Sequence, residues 1–223
     1  MRKIIFIAIA ALKCVVASGQ EPTAWRDSLT TINQQIATSP YSSDLHLRKA
    51  AFNAQLQQWE YAIEEYNLVL QKDATNPAAL FYRAYANAHL RRYDLARNDY
   101  EALLRISPDH LKARLGLSHI LSKMGKKAEA MDQLNQLAEM HPDSAIVYVA
   151  RAGLETECQS YDAALYDWDQ AIRIEPRNGE YRLSKAELLI LLGRKEEARA
   201  TLDATVRCGI PRGQLRQWYA RCK

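Results

Sequence analysis

Glycine and proline are scarce in this chain, with 8 and 7 among 223 residues. This scarcity excludes collagen-like and low-complexity disordered classes. Long runs of alternating β-branched residues are also absent, whereas Ala, Leu, Arg, Glu and Gln are plentiful. Because 48% of the residues are hydrophobic and 25% are charged, the composition predicts a globular protein built from helices.

Motifs for catalysis and metal binding are missing as well. The chain has no GxSxG, GxxxxGK[ST] or GxGxxG pattern, and its five histidines form neither an HExxH motif nor an i, i+4 pair. Asp167 and Asp169 are two residues apart, so a helix would point them to different faces. We therefore predict a protein that is not an enzyme and that carries no metal or cofactor.

The one long apolar run lies at the N-terminus. Residues 1–19, MRKIIFIAIAALKCVVASG, have a basic start, nine apolar residues at 4–12 and small residues near 17–19. This pattern predicts a cleaved export signal and a periplasmic or secreted protein, with a bacterial envelope as the expected location. A membrane anchor is the alternative, and Lys13 disfavours it by interrupting the run before the roughly 18 residues of a span.

Removing the predicted signal changes the charge of the chain. Residues 1–19 hold Arg2, Lys3 and Lys13 and no acid, so the formal net charge falls from +4 to +1. The apparent basicity of the sequence therefore belongs mostly to the signal. We expect no nucleic-acid partner, and no stable membrane span once the signal is cleaved.

One helical sequence pattern recurs along the rest of the chain. YDLARNDYEALLRISP at 93–108 and YDAALYDWDQAIRIEP at 161–176 are identical at seven of sixteen positions, and 127–142 has the same skeleton halfway between them. The period is therefore 34 residues. Four series keep this register: Pro40, Pro108, Pro142 and Pro176; Ala62, Ala96, Ala130, Ala164 and Ala198; the bulky Tyr66, Tyr100, Leu134, Trp168 and Leu202; and the small Ala50, Ala84, Ser118, Ala152 and Ala186.

A 34-residue period with a small residue, a bulky residue four positions later and a closing proline resembles the tetratricopeptide repeat, abbreviated TPR. The resemblance implies an all-α fold, a right-handed α-α superhelix or TPR solenoid, within a domain at 20–223. Its parts would be a half repeat at 24–42, five helix-turn-helix repeats at 43–76, 77–110, 111–144, 145–178 and 179–212, and a capping helix at 213–223. The first helices depart from the family where it favours Trp, with His46, Leu80, Arg114, Tyr148 and Arg182.

Several local features of the repeats can also be predicted. Gly125 and Gly193 are expected in turns that end first helices, because glycine accepts the left-handed conformation found there. The terminal segments carry apolar residues at helical spacing, so both are expected to cap the ends of the solenoid. The capping residues are Trp25, Leu29, Ile32 and Ile36 at the start and Leu215, Trp218 and Tyr219 at the end, and every Trp of the chain is assigned to the core.

A charged pattern accompanies the apolar one. In three repeats a base in the first helix is followed sixteen residues later by an acid in the second helix. The third repeat has lost both members, with Leu117 and Gln133, whereas the fifth keeps Lys185 but has Thr201 in place of the acid. We therefore predict ion pairs between the two helices of one repeat, namely Lys49–Glu65, Arg83–Asp99 and Arg151–Asp167.

The resemblance implies a protein-interaction scaffold that binds a peptide or helix of a partner protein in its concave groove. An accessory subunit of an envelope assembly or secretion complex, acting through its convex face or edges, is the alternative. In LFYRAYANAH, the first helix of the second repeat, Leu80, Ala84 and Ala88 can supply the packing face. The predicted partner-binding residues are the remaining Phe81, Tyr82, Tyr85 and His89, extended by Lys112 and His119, with packing between repeats as the alternative role of the aromatic residues.

Three cysteines follow the predicted signal. Cys208 and Cys222 are candidates for a disulfide that would clamp the last helix, because an exported protein meets an oxidising environment. Three unpaired thiols are the alternative. Cys158 is expected within a helix of the fourth repeat as a buried thiol.

Overall fold

The computed structural model describes residues 22–222 as an all-α fold, with side chains from Ala24 onward. The predicted signal at 1–19 lies outside these residues. Within them the chain forms no strand. The helices are α1 (Pro22–Thr38), α2 (Ser43–Gln55), α3 (Trp59–Lys72), α4 (Pro77–His89), α5 (Tyr93–Ile106), α6 (Leu111–Lys123), α7 (Lys127–Met140), α8 (Ala145–Glu157), α9 (Tyr161–Ile174), α10 (Gly179–Leu191), α11 (Lys195–Arg207) and α12 (Arg216–Arg221), with a 3-10 turn at Arg212–Leu215 before α12.

The 34-residue period reappears in the helix boundaries. The first helices begin at residues 43, 77, 111, 145 and 179, and the second helices begin at 59, 93, 127, 161 and 195. Side chains cap several of the first helices. The Asn76 side chain accepts from the Ala79 backbone N–H at 3.0 Å, and His110 Nδ1 accepts from Ala113 N–H at 3.1 Å. These bonds satisfy amides that a helix start leaves without an internal partner.

Each first helix ends at a residue in the left-handed conformation. Gly125 and Gly193 have φ values of 78° and 72°, as the sequence predicts. The same turn is made without glycine in the other repeats, where Gln57, Arg91 and Gln159 have φ values of 58°, 60° and 62°. These three residues are spaced with the glycines at the repeat period, so the turn geometry is conserved within the chain while the residue type is not.

Contacts divide the chain into two compact units, one ending at Gln133 and one beginning at Leu134. In the first unit the small residues Ala50, Ala62, Ala84 and Ala96 are fully buried. The bulky Tyr66 and Leu103 are buried as well. The small residues let helices approach closely, and the bulky residues fill the space beside them. Near the N-terminus, Ile32 is buried and the Trp25 ring lies 5.7 Å from that of Phe52.

The second unit has a core of its own that includes the C-terminal segment. Buried Trp168, Leu189 and Leu202 belong to the same cluster as Leu215 and Cys222. Trp218 and Tyr219 are partly buried against this cluster, where Trp218 Nε1 donates to Glu187 at 3.1 Å and the Tyr219 hydroxyl donates to Asp203 at 2.5 Å. The predicted C-terminal capping residues thus pack on the last repeat.

All three cysteines of the described residues are unpaired thiols. The structure does not join Cys208 to Cys222, because Cys222 packs in the core whereas Cys208 is exposed at the end of α11, with its Sγ 3.6 Å from the Pro176 carbonyl oxygen. The predicted burial of Cys158 is wrong. This residue is the exposed C-cap of α8, because the helix ends there and the turn to α9 begins.

Candidate functional site

The predicted partner-binding residues of α4, namely Phe81, Tyr82, Tyr85 and His89, form what we call the aromatic surface. Phe81 is half-buried and contacts both neighbouring helices. Its ring centroid lies 5.9 Å from that of Tyr100 in α5 and 5.6 Å from that of His110, which caps α6. Phe81 therefore takes part in packing between the second and third repeats.

The other end of the aromatic surface packs on the preceding repeat. His89 stacks on Trp59, with ring centroids 4.0 Å apart and planes 6° apart, and Tyr85 meets the same indole edge-on at 5.9 Å. Burial lowers the pKa of His89 and raises that of Tyr85, because it disfavours the charged form of each side chain. The cluster is therefore neutral near pH 7. Trp59, which the sequence analysis placed in the core with every other Trp, belongs to this cluster.

Tyr82 is the exposed tyrosine of the aromatic surface. Its side chain is 51% exposed. One face of its ring lies towards buried Tyr66, with centroids 6.2 Å apart and planes 17° apart, and the nearly perpendicular Phe81 ring has its centroid 5.1 Å away. The ring is thus fixed by its neighbours on one side and accessible on the other.

Lys112 and His119 lie on α6, the first helix of the third repeat. Lys112 is exposed and His119 is half-buried. Between them, Gly116 lets α6 approach α5, since a Cβ at this position would lie 2.5 Å from Cζ of Tyr100. The close approach sets the distance between α6 and the buried tyrosine that also contacts Phe81.

The three predicted ion pairs are confirmed, and each joins the two helices of one repeat. Lys49 Nζ lies 2.7 Å from Glu65. The two arginine pairs are bidentate, with Nε and Nη2 at 2.8 and 2.7 Å from the Asp99 oxygens and at 2.6 and 2.8 Å from the Asp167 oxygens. All three acids are buried. The pairs therefore fix the register of α2–α3, α4–α5 and α8–α9.

The sequence prediction missed a second set of partners for the same bases. Arg83 Nη1 donates to Asn67 at 2.7 Å, Arg151 Nη1 donates to Asn135 at 3.1 Å, and Lys185 Nζ donates to Asp169 at 2.6 Å. Each partner lies sixteen residues before its base, in the second helix of the preceding repeat. Arg83 and Arg151 thus each join three helices, whereas Lys185 joins two. The signal was available in the sequence, because the partners share the repeat register.

Hydrogen bonds to proline carbonyls explain the departures from the family pattern in the first helices. The side chain at the position where Trp is favoured donates to the carbonyl oxygen six residues earlier in four repeats. The pairs are His46 with Pro40 (2.9 Å), Arg114 with Pro108 (2.6 Å), Tyr148 with Pro142 (3.1 Å) and Arg182 with Pro176 (2.6 Å). In the second repeat, where Ala74 replaces the proline, Leu80 is buried instead. These polar residues therefore have structural partners.

Comparison with known proteins settles the family. The tetratricopeptide-repeat family matches residues 88–153 and 159–208, and a second tetratricopeptide-repeat family matches residues 54–110. The chain belongs to the TPR family. The all-α TPR solenoid predicted from the sequence is confirmed, because solved TPR proteins share its fold.

Individual relatives are distant. A TPR protein from Parabacteroides merdae superposes with a TM-score of 0.73 at 18% identity, over 98% of this chain and 88% of that one. YrrB, a TPR protein with an unusual peptide-binding site, has a TM-score of 0.58 at 15% identity, over 80% of this chain and 92% of that one. At such identities the likeness concerns the fold alone.

Sequence relatives are longer proteins. Anaphase-promoting complex subunit 3 from Schizosaccharomyces pombe is 22% identical over 171 residues, which are 77% of this chain and 26% of that protein. The chain spans between about a fifth and two fifths of this and two other curated relatives.

The rest of the described TPR domain offers few other sites. No group of three or more His, Cys, Asp and Glu residues within 22–222 is placed to hold a metal ion, and no helix in this range is long and apolar enough to cross a membrane. An open pocket of about 320 Å³ lies in the first unit at the third repeat. It is lined by Leu117 and Gln133, which replace the ion pair of three other repeats, together with Glu101, Leu104, Arg105 and Arg114.

Proposed function

We propose that this TPR protein is a non-catalytic scaffold that binds an extended or helical segment of a partner protein along the first helices of its second and third repeats. The observation that carries the proposal is Tyr82, which is half exposed although its ring is held against buried Tyr66. A fixed tyrosine can bury a large area in a partner at little cost in side-chain entropy. Phe81 and Tyr85 flank it and extend the apolar contact.

The charges around the aromatic surface suit a particular class of segment. Tyr85 and His89 are held neutral, so the contact there is apolar and aromatic. Lys112 adds one exposed positive charge on the neighbouring first helix. We infer that the preferred segment carries an aromatic or aliphatic anchor followed by an acidic residue, because opposite charge would orient the segment. The peptide-binding site of YrrB makes this mode of action plausible for the fold.

The proposed place of action is the periplasm or the exterior of the cell. This proposal rests on the signal pattern of residues 1–19. Fractionation of producing cells, with N-terminal sequencing of the mature protein, tests it. Recovery of an intact N-terminus from the cytoplasm would refute export without bearing on partner binding.

Site-specific photocrosslinking tests the binding proposal. A photoreactive amino acid at position 82 is expected to capture a partner in producing cells, whereas the same amino acid at position 61 is the matched control. Tyr61 lies on the second helix α3 and is 59% exposed, so both positions are open to solvent. Capture from position 61 alone would refute the aromatic surface and favour the accessory-subunit alternative.

The captured segment then allows a quantitative test. We expect Tyr82→Ala to weaken binding of the synthetic segment at least about tenfold in fluorescence anisotropy, as for an anchor residue. Tyr61→Ala should leave the affinity unchanged. Because Tyr82 and Tyr61 are both exposed, both variants should retain the helical circular dichroism of the wild type. An unchanged affinity in folded Tyr82→Ala would contradict the proposal.

A further inference from the structure

Glu155, near the end of α8, is a buried carboxyl group without a full set of partners. Its side chain is 8% exposed, and its Oε2 atom has no hydrogen-bond partner. A buried carboxylate in this condition would carry a large desolvation penalty. The group must therefore either acquire a compensating positive charge or be neutral.

The nearby positive charge is already engaged by another acid. Asp167 on α9 is 1% exposed, and both of its oxygens accept from Arg151. Asp167 and Arg151 are the charged groups that act on Glu155. From the other helices of this unit, α7 contributes the neutral Asn135 amide to Arg151, and α10 contributes Lys185, which is bonded to Asp169. Asp167 thus takes the guanidinium bonds of Arg151, and no ion pair to Glu155 is formed among the described residues.

The other repeats show which residue types accompany the buried acid at this position. Wherever the second helix carries the buried acid, the position twelve residues earlier is polar, and wherever the acid is missing, that position is leucine. The polar cases are Asn53 with Glu65, Asn87 with Asp99 and Glu155 with Asp167, and the apolar cases are Leu121 with Gln133 and Leu189 with Thr201. Asparagine is a neutral donor, and only a protonated glutamic acid has the same hydrogen-bonding character.

We propose that Glu155 is protonated in the folded protein, where it donates a hydrogen bond to the Asp167 carboxylate, and that loss of this proton weakens the α8–α9 hairpin of the fourth repeat. The repeat is then a pH-sensitive element within the solenoid. The proton belongs to a structural carboxyl group, so the device needs no ligand and is independent of the aromatic surface.

The direction of the pH dependence follows from the proton balance. Burial, and then the negative charge of Asp167, raise the pKa of Glu155 to about 7 from its ordinary value of 4.5. Between these values the folded state binds a proton that the unfolded state releases, so stability falls as the pH rises through this window. On account of Glu155 alone, the equilibrium constant for unfolding should therefore increase roughly tenfold or more between pH 5 and pH 8.

Urea unfolding of the full-length protein and of Glu155→Gln at both pH values tests the proposal. Glutamine keeps the shape and donates a hydrogen bond at every pH, so the ratio of the unfolding constants of wild type and variant should rise roughly tenfold or more from pH 5 to pH 8. Glu139→Gln, at an exposed acid of α7, is the matched control and should show no such change. The infrared C=O band of a protonated carboxyl should be present in the wild type at pH 6 and absent in Glu155→Gln. A ratio that is independent of pH, or an unchanged infrared band, would overturn the proposal.

A second variant keeps the proposal testable if Glu155→Gln does not fold. Asn87→Asp places a carboxyl group at the same position of the second repeat, beside the pair of Arg83 and Asp99. This variant should acquire a pH dependence of the same sign, with stability lost as the pH rises. Stability that does not fall with pH relative to the wild type would show that the position tolerates a charged carboxylate and would overturn the proposal.

Discussion

Removing Arg151 is expected to destabilise the fourth repeat far more than removing Arg151 and Asp167 together. In Arg151→Leu, the Asp167 carboxylate is left almost fully buried without the guanidinium that now bonds both of its oxygens at 2.6 and 2.8 Å. An uncompensated buried charge of this kind costs about 3–5 kcal/mol. Asp167→Gln should cost less, about 1–3 kcal/mol, because the partly exposed Arg151 can extend towards water.

The third repeat provides a natural template for the double variant. It carries Leu117 and Gln133 at the two corresponding positions, both within a packed repeat. Arg151→Leu/Asp167→Gln should therefore be more stable than Arg151→Leu alone, with a coupling free energy of about 2 kcal/mol or more in the double-mutant cycle. Urea unfolding followed by circular dichroism supplies the four stabilities. The solvent-exposed pair of Arg48 and Asp44, substituted in the same way, is the control and should show a coupling near zero. If the effects of Arg151→Leu and Asp167→Gln simply add, the two residues do not form the unit inferred from the structure.

Two further predictions concern glycines, and both are measured as changes in the urea midpoint. Gly116→Ala should destabilise the protein by about 1–3 kcal/mol, because the new methyl group would overlap the buried Tyr100 ring; a neutral result would mean that the ring can move. Gly125→Ala should cost about 1 kcal/mol from its φ of 78° alone, since no atom lies within 4 Å of the added Cβ. Gly153→Ala is the control for both, because this helical glycine has open space around it and alanine should be neutral or stabilising there.

The sequence by itself determined the features that recur from repeat to repeat. The period, the family and the three ion pairs could be predicted because a solenoid places equivalent residues in equivalent surroundings. A pattern repeated in register therefore reports a contact repeated in space. The third repeat was especially informative, because Leu117 and Gln133 replace both the base and the acid of the pair in the same repeat.

The tertiary structure decided the features that depend on a third helix or on one residue's conformation. Helical spacing shows which face a side chain occupies, but not which of several neighbouring helices it meets. The stacking of His89 on Trp59 was therefore not predicted. The exposure of Cys158 followed from the exact end of α8, which the repeat pattern does not specify to the residue. The burial of Glu155 and its interaction with Asp167 likewise required the packed hairpin. Two carboxyl groups twelve residues apart in the sequence interact only when two helices bring them together.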